Sequence, residues 1–279
     1  KTNIKLKDIA SINGTSASII GNKYNFQNAT TNIENIFNDN ECNTLLILTR
    51  HDSHFSLVKE GLLSGKNIFV EKPLCLNIEE LNEIENIYIK LQKDNNKTPR
   101  LMVGFNRRFA PLITHLNKHI KKINGPKTFI YTINAGKVDK DNWQIDEKIG
   151  GGRLIGEVCH FLDLLMFLSD SKIKEINAIS IKNNESNRSY NLQISFYNNS
   201  IASINYIADG NKTYPKERIE VYGDNIIFEM NNFRKVKAWG KSGVTRSNLM
   251  GDKGHKICIK QFIDSIKKGK NTPIKFDEI

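Results

Sequence analysis

Long apolar stretches are missing from this sequence. No run approaches the ~20 apolar residues that span a membrane, and the first ten residues, KTNIKLKDIA, lack the apolar centre of a signal peptide. Proline is also scarce, with six among 279 residues, while 39% of the residues are hydrophobic. We therefore expect a globular, cytoplasmic protein with a sizeable core and no membrane partner, and the length favours two domains.

Cysteine is rare and unpatterned. The four cysteines (Cys42, Cys75, Cys159 and Cys258) lie far apart, and no CxxC spacing occurs. This pattern indicates neither a disulfide framework nor a zinc site. We expect reduced thiols and no metal.

The positive charge lacks the clustering that a nucleic-acid partner requires. The formal net charge is +11, but the lysines are scattered among Asn and Ile residues, and only KKINGPK and IKKGKNTPIK are locally dense. Nucleic-acid binding depends on a basic stripe or patch, so we expect none. An anionic small substrate is compatible with the charge.

The first third of the chain alternates strand and helix patterns. Strands are predicted at NIKLKDIAS, NTLLILT, NIFV and RLMVGF, and helices at TSASIIGNKYN, IENIFND, HFSLVKEGLLSG and NIEELNEIENIYIKLQK. NTLLILT (43–49) is continuously apolar, as in a strand buried on both faces. Gly65 is a natural helix end and Asn77 a natural helix cap. Right-handed crossovers between these strands predict one parallel, doubly wound sheet.

From about residue 127 the pattern changes to strands joined by short turns. They are KTFIYTINA, IKEINAISI, SYNLQISFYNN, SIASINYIAD, ERIEVYG and NIIFEMNN, with a hairpin signal, NNS, at 198–200. Two helices, GRLIGEVCHFLDLLMFLS and HKICIKQFIDSIKKG, accompany them. The second half is therefore predicted as α+β, a mostly antiparallel open sheet covered by helices on one face.

Two strand tips carry polar residues at one edge of the parallel sheet. One ends in Thr49-Arg50-His51 and the next in Glu71-Lys72-Pro73. A lysine there can donate to a substrate hydroxyl and place positive charge beside a developing alkoxide, with the proline aiming it. Alternatively, Lys72 is simply an exposed lysine after a strand. His51 and His54 have the spacing of a metal pair, but no carboxylate or Cys completes a ligand set, which favours a helix-start histidine.

The second motif is a glycine turn followed by a helix, GGGRLIGEVCHFLDLLMFL (150–168). Glu157, His160 and Asp163 are neighbours along this helix. A histidine with an acidic neighbour is a natural general base. A satisfied core histidine is the alternative interpretation of the same residue.

Taken together, four segments resemble the Gfo/Idh/MocA family of NAD(P)-dependent oxidoreductases over nearly the whole chain. Family members carry T-P-N-x-x-H, G-K-H-V-x-x-E-K-P, V-G-(F/Y)-x-x-R-(F/Y) and a Gly-rich turn before a helix with the catalytic His followed by x-x-D. Their counterparts here are TRHDSH (49–54), GKNIFVEKP (65–73), VGFNRRF (103–109) and GGGR (150–153) leading to HFLD (160–163). The sequence looks closest to sugar and nucleotide-sugar dehydrogenases found with surface-polysaccharide enzymes.

The resemblance implies a partial dinucleotide-binding (Rossmann) domain at 1–107 and an α+β substrate and oligomerisation domain at 108–279. It implies hydride transfer between NAD or NADP and a secondary alcohol or ketone of a sugar, nucleotide sugar or polyol, in a homodimer or homotetramer. Lys72 would lie between the nicotinamide ribose and the substrate hydroxyl, preceding a cis peptide bond to Pro73, and would face one cleft with His160. His160 would take the hydroxyl proton.

The remaining roles are carried over from the same motifs. The catalytic residues would be Lys72, His160 and Glu157. The cofactor-binding residues would be Ser11, Thr49, Arg50, His51, His54, Glu71, Lys72 and Pro73. The substrate-binding residues would be Lys72, Asn106, Arg107, Arg153 and Asp163.

The sequence departs from the family pattern in the catalytic helix and at the first strand tip. Gly156 stands where most members have Asp, with Glu157 one position later; a glutamate three residues before His160 still reaches the same helix face. We expect altered substrate contacts and retained chemistry. Arg50 and His51 replace Pro and Asn, which alters the contacts beside the nicotinamide.

A larger departure is the absence of the G-x-G-x-x-G turn that seats a pyrophosphate. The chain begins with a match to the family's second strand, so we expect it to be part of a longer chain or a fragment, to lack a central strand and, as it stands, to bind dinucleotides poorly. Ser11 replaces the usual Asp, which favours NADP. Two interpretations stay open: a dehydrogenase or reductase, and a non-catalytic nucleotide- or sugar-binding regulatory or interaction module.

Overall fold

The structure, a computed structural model, describes residues 4–93, 98–181 and 188–279. Its first half contains short strands alternating with helices. The strands are β1 (Asp8–Ala10), β2 (Asn28–Thr30), β3 (Thr44–Ile47), β4 (Asn67–Val70) and β5 (Leu101–Val103). The helices are α1 (Gly14–Tyr24), α2 (Glu34–Phe37), α3 (His54–Leu63) and α4 (Ile78–Lys93).

The parallel strands form two sheets, not the single sheet expected from the sequence. β1 pairs with β2, whereas β3, β4 and β5 form a separate three-stranded sheet. β3 was also expected to be buried on both faces, which is wrong. Leu45 is buried, but Leu46 is 45% and Leu48 60% exposed. β3 is an edge strand, and only one of its faces packs on the core.

The predicted helix ends in this half are confirmed. Gly65 follows α3 with a φ of +71°, a left-handed conformation that favours glycine. The side-chain oxygen of Asn77 accepts a hydrogen bond from the Glu80 backbone N–H at 2.8 Å, which caps the start of α4. Because β3, β4 and β5 are parallel, their carboxyl ends lie at one edge of the three-stranded sheet.

The second half is built on an eight-stranded, mostly antiparallel sheet. Its strands are β6 (Thr128–Asn134), β7 (Ile173–Ser180), β8 (Tyr190–Phe196), β9 (Ile201–Ile207), β10 (Glu217–Gly223), β11 (Ile226–Asn231), β12 (Lys235–Trp239) and β13 (Arg246–Ser247). The order across the sheet is β13-β12-β11-β10-β6-β9-β8-β7, and β6 and β9 are the parallel pair. The predicted hairpin at 198–200 is confirmed as the connection between β8 and β9.

Helices cover one face of this sheet. They are α5 (Pro111–Ile120), which the sequence patterns did not predict, and α6 (Cys159–Ser169). Their buried side chains join inward-facing strand residues in one apolar cluster that includes Leu116, Leu164, Phe129 and Ile219. Buried and less buried residues alternate along β9, so every second side chain points away from this core, toward the open face of the sheet.

The last helix, α7 (His255–Lys267), returns to the parallel sheet. Its Cys258 and Phe262 belong to the apolar cluster of Ile68 and Phe69, and the Phe69 and Phe262 ring centroids are 5.7 Å apart. The proposed second domain, 108–279, thus contains an element that packs on the first half. Among the described residues, no helix is both long enough and apolar enough to cross a bilayer.

Candidate active site

A cavity of about 250 Å³ lies where the tip of β4 meets the start of α6. Its wall consists of Lys72, Arg107, Ala135, Val138, Gln144, Arg153, Glu157, His160, Phe161 and Lys216. The structure therefore brings five of the sequence-predicted site residues to one cavity: Lys72, Arg107, Arg153, Glu157 and His160.

Lys72 follows β4 directly and is aimed by the turn after it. The Lys72–Pro73 peptide bond is cis, as predicted. The Lys72 amine donates a hydrogen bond to the Gly156 carbonyl oxygen at 2.6 Å. Lys72 thereby links the tip of the parallel sheet to the segment that precedes α6, and its amine faces the same cavity as His160, also as predicted.

His160 lies in the first turn of α6, after a single π-helical turn at Leu154–Val158, a feature often found at functional sites. The side chain is 8% exposed, and its Nδ1 atom is buried without a hydrogen-bond partner among the described residues. Burial, reinforced by the positive charges of Arg107 and Lys72, holds the pKa of His160 well below its ordinary value. The ring is therefore neutral at neutral pH and can accept a proton.

Gly156 is explained by the close approach of two backbone segments. A Cβ atom at this position would lie 2.7 Å from the Gly150 carbonyl oxygen and 3.4 Å from the His51 ring. The aspartate common in the family has no room here. Glu157, one position later, reaches the cavity together with His160, as their spacing predicts, and its Oε1 atom lies 3.4 Å from Arg153 Nε.

Arg107 is held at the cavity by a buried ion network centred on Glu217. It donates to both Glu217 carboxylate oxygens at 2.9 Å, the Lys253 amine donates to the same carboxylate at 2.7 Å, and the Tyr131 hydroxyl at 2.5 Å. Burial alone would raise the pKa of Glu217, but Arg107 and Lys253 lower it to about 2. The guanidinium also lies 5.0 Å from the Phe161 ring centroid.

Arg153 is fixed in the wall by neutral partners as well as by Glu157. It is 4% exposed and donates to the Tyr206 hydroxyl at 2.6 Å and to the Gly136 carbonyl at 2.8 Å. Because these contacts restrict the side chain, its position in the wall is set before any ligand enters.

The histidines after β3 bind backbone carbonyls. His54 is fully buried, and its two ring nitrogens lie 2.7 Å from the Pro73 oxygen and 3.2 Å from the Thr49 oxygen. His54 thus connects the tips of β3 and β4. His51 Nδ1 lies 2.7 Å from the Gly150 oxygen, its ring packs edge-on against Trp143, and burial lowers its pKa to about 4.

Four more predicted cofactor contacts lie at strand tips without lining the cavity. Thr49 and Arg50 are exposed after β3, with Arg50 over the Trp143 ring. The Glu71 carboxylate lies against Gly104, just after β5. Ser11 follows β1, and its hydroxyl accepts a hydrogen bond from the Asn13 backbone N–H at 3.3 Å. Their roles stay predictions.

The structure does not bring two predicted substrate contacts, Asn106 and Asp163, to the cavity wall. Asn106 is buried and donates to the Lys253 carbonyl at 2.7 Å. Asp163 accepts hydrogen bonds from Arg108 at 2.8 and 2.9 Å, on a side of α6 where Arg108 also binds Glu278. Burial raises the pKa of Asp163 to about 7. The Asn106 amide nitrogen and the Asp163 carboxylate, which were expected to contact substrate, thus bind other protein groups.

Sequence reasoning did not identify Gln144, Lys216 or Glu217. One signal was present for Glu217, because in ERIEVYG it alternates with Ile219 and Val221, the core-facing residues of the strand. A carboxylate at a core-facing position of a strand indicates a buried side chain of opposite charge beside it. Gln144 and Lys216 lie in connecting segments and carry no comparable pattern.

The parallel strands with their helices and the following antiparallel sheet define a Rossmann-type α/β protein with a second, sheet-based part. Residues 1–97 match the family model for the oxidoreductase family with an NAD-binding Rossmann fold, and residues 127–229 match that of the GFO/IDH/MocA C-terminal domain. The chain belongs to the Gfo/Idh/MocA oxidoreductase family, which confirms the resemblance seen in the sequence.

Curated relatives align over part of their length. Uncharacterized oxidoreductase YrbE of Bacillus subtilis (strain 168) is 24% identical over 181 residues, 63% of this chain and 49% of that protein. Levoglucosan dehydrogenase of Pseudarthrobacter phenanthrenivorans is 24% identical over 180 residues, 62% of this chain and 44% of that protein. The alignments therefore span about half the length, or less, of these relatives.

Two solved structures share the fold. One is levoglucosan dehydrogenase in complex with NADH and levoglucosan, with a TM-score of 0.82 and 19% identity over 98% of this chain and 84% of that one. The other is a putative myo-inositol dehydrogenase from Sinorhizobium meliloti 1021, with a TM-score of 0.81 and 20% identity over 100% of this chain and 86% of that one.

Proposed function

We propose that the protein is a nicotinamide-dependent dehydrogenase or reductase that acts on a secondary alcohol or ketone of a sugar, nucleotide sugar or polyol. The observation that carries this proposal is the meeting of Lys72 and the buried His160 ring at one cavity. The names of two similar proteins, levoglucosan dehydrogenase and an inositol 2-dehydrogenase of Rhizobium meliloti, support a polyhydroxylated ring as substrate.

The tips of β3, β4 and β5 fit the nicotinamide end of a dinucleotide. Ligands of open α/β sheets bind beyond the carboxyl ends of parallel strands, where this chain places Thr49, Arg50, Glu71 and Lys72. Gly104 adds a position without a side chain, and the His160 side chain lines the adjacent cavity. When bound, the nicotinamide ring supplies the acceptor or donor of the hydride.

The side chains of the chain handle the proton and the charge. In the oxidative direction, His160 takes the proton of the substrate hydroxyl while the Lys72 ammonium stabilises negative charge on the same oxygen. In the reductive direction, His160 returns the proton. Arg107, Arg153 and Glu157 orient the substrate, since their partners hold them in place.

The test is reduction of NAD⁺ and of NADP⁺ by a panel of sugars, polyols and nucleotide sugars, followed by absorbance. We expect His160→Asn to lower kcat by ~10²-fold or more, as removal of a positioned acid–base group does, with cofactor affinity nearly unchanged. The matched control is His115→Asn, a histidine on α5 outside the cavity wall. Near-native turnover by His160→Asn would contradict the proposal. Cofactor binding without turnover of any panel member would favour the non-catalytic binding module instead.

A further inference from the structure

The cavity and its immediate support contain more positive than negative groups. Five cationic side chains contribute: Lys72, Arg107, Arg153 and Lys216 in the wall, and Lys253 behind Arg107 on the Glu217 carboxylate. The carboxylates around the cavity are Glu157 and Glu217. A ligand inside therefore meets a net positive surface.

The two arginines of the wall, Arg107 and Arg153, each form an ion pair with one of these two carboxylates. Arg107 binds Glu217 through two hydrogen bonds, and Arg153 pairs with Glu157. Lys253 shares Glu217 with Arg107, which leaves that cluster with one excess positive charge. The surplus is thus carried by lysine amines.

Lys72 and Lys216 have no carboxylate partner among the described residues. The Lys72 amine donates to a neutral group, the Gly156 carbonyl. Of the four lining cations, Lys216 is the one whose charged group forms no hydrogen bond and no ion pair within residues 4–93, 98–181 and 188–279. Its amine is available to a ligand.

The titration of neighbouring groups agrees with an excess of positive charge. After burial, the causes that lower the pKa of His160 are all basic side chains, first Arg107 and Lys72 and then His255 and Lys253. The pKa of Lys216 is also lowered, first by burial, with Lys253 and Arg107 acting in the same direction and Glu157 and Glu217 opposing them. An anion in the cavity would relieve this repulsion.

We infer that the substrate carries an anionic group, with carboxylate or phosphate oxygens bound by Lys216 while its reacting carbon faces Lys72 and His160. This inference rests on the proposed function and specifies its substrate class: an acidic sugar or a sugar phosphate in place of a neutral one. Charged oxygens suit an unpaired ammonium, because a charge-assisted hydrogen bond is stronger than one to a neutral hydroxyl.

The experiment compares neutral and acidic members of matched pairs by calorimetry, which needs no turnover. The probes are glucose with glucuronate and glucose 6-phosphate, and galactose with galacturonate and galactose 1-phosphate, each titrated into wild type, Lys216→Gln and Lys235→Gln. Lys235 is an exposed lysine on β12 outside the cavity wall. Uronates and phosphates form separate arms and identify which anion is preferred.

We expect at least one anion to bind ~10-fold or more tightly than its neutral counterpart. Lys216→Gln should remove most of that preference, because it should lower the affinity for the anionic sugar alone. Lys235→Gln should retain the preference. Rising salt concentration should lower the affinity for the anionic sugar and leave the affinity for the neutral sugar unchanged. The inference is overturned if no anion binds better than its neutral counterpart, or if Lys216→Gln weakens both members equally. Failure of hydride transfer with intact anion preference would count against the proposed function instead.

Discussion

The two walls of the cavity hold their polar side chains by different means. On the parallel-sheet side, the Lys72 amine binds the Gly156 carbonyl, and His54 behind it binds the Pro73 and Thr49 carbonyls at the strand tips. On the antiparallel-sheet side, Arg107, Lys253 and Tyr131 converge on one buried carboxylate, that of Glu217. His54 lies within 19 positions of both its partners along the chain, Lys72 and Gly156 are 84 positions apart, and Arg107 and Glu217 are 110 positions apart.

This difference separates the consequences of substitution. A side chain that binds a carbonyl leaves behind a neutral group when it is removed. Removing one member of a buried ion network leaves uncompensated charge, which costs far more. We therefore expect substitutions in the antiparallel wall to lower the stability of the protein. Substitution of Lys72 should mainly lower the rate of the reaction.

The largest expected effect is that of Glu217→Ala, which leaves Arg107 and Lys253 without their shared carboxylate. We expect the free energy of unfolding to fall by about 3–5 kcal/mol in urea titrations. The control is Glu220→Ala on the same strand, whose partly exposed pair with Arg218 contributes at most about 1 kcal/mol. Should Glu217→Ala prevent folding altogether, Glu217→Gln provides a milder variant. Equal losses for Glu217→Ala and Glu220→Ala would remove the contrast between the walls.

The next effect concerns pH and the buried His51. Its folded-state pKa of about 4 lies below the value of an unfolded histidine, so folding favours the neutral ring. The stabilisation is complete above the unfolded pKa and is lost as the pH falls toward 4, by on the order of 3 kcal/mol. His51→Gln should reduce the slope of the unfolding free energy across this window, and the lowered pKa of His160 should maintain the remaining slope. The exposed-histidine variant His255→Gln should keep the slope, and an equally steep slope in His51→Gln would refute the assignment.

Lys72→Ala tests the parallel wall by rate. We expect kcat to fall by ~10²-fold or more, because positive charge beside the reacting oxygen is lost. The free energy of unfolding should change little, since the lysine is partly exposed and its partner is a carbonyl. Lys90→Ala, on the exposed side of α4, is the control. A large loss of stability with unchanged kcat would assign Lys72 a structural role.

The smallest expected effect is that of Asn77→Ala at the start of α4. Loss of the cap to the Glu80 N–H should cost about 1 kcal/mol of unfolding free energy. Asn82→Ala, at an exposed interior position of the same helix, should be neutral or slightly stabilising because alanine is the better helix former. If Asn77→Ala lowered the unfolding free energy as much as Glu217→Ala does, the helix cap would contribute as much to stability as the buried ion network.

Sequence prediction succeeded where a signal is carried by neighbouring residues. Asn77 as a cap, the cis bond at Pro73 and the common cavity of Lys72 and His160 were all predicted, the latter two from the family resemblance. Prediction was less successful where a feature depends on pairing between strands that are far apart in the sequence. The division of the parallel strands into two sheets, the exposure of Leu46 and the parallel β6–β9 pair depend on which strands become neighbours.

The sequence by itself determined the family, most of the strands and helices, and the residues at the strand tips, because motif spacing, hydrophobic periodicity and turn residues act over short distances along the chain. It did not predict β2, α5, β12 or β13. Only the tertiary structure decided that Asp163 binds Arg108 away from the cavity, that Glu217 holds Arg107, and that the Lys216 amine lies at the cavity with no partner in the part of the chain that the structure describes. The physical reason is that the fate of a charged side chain depends on which opposite charge packing buries beside it, and strand register and helix docking set that choice.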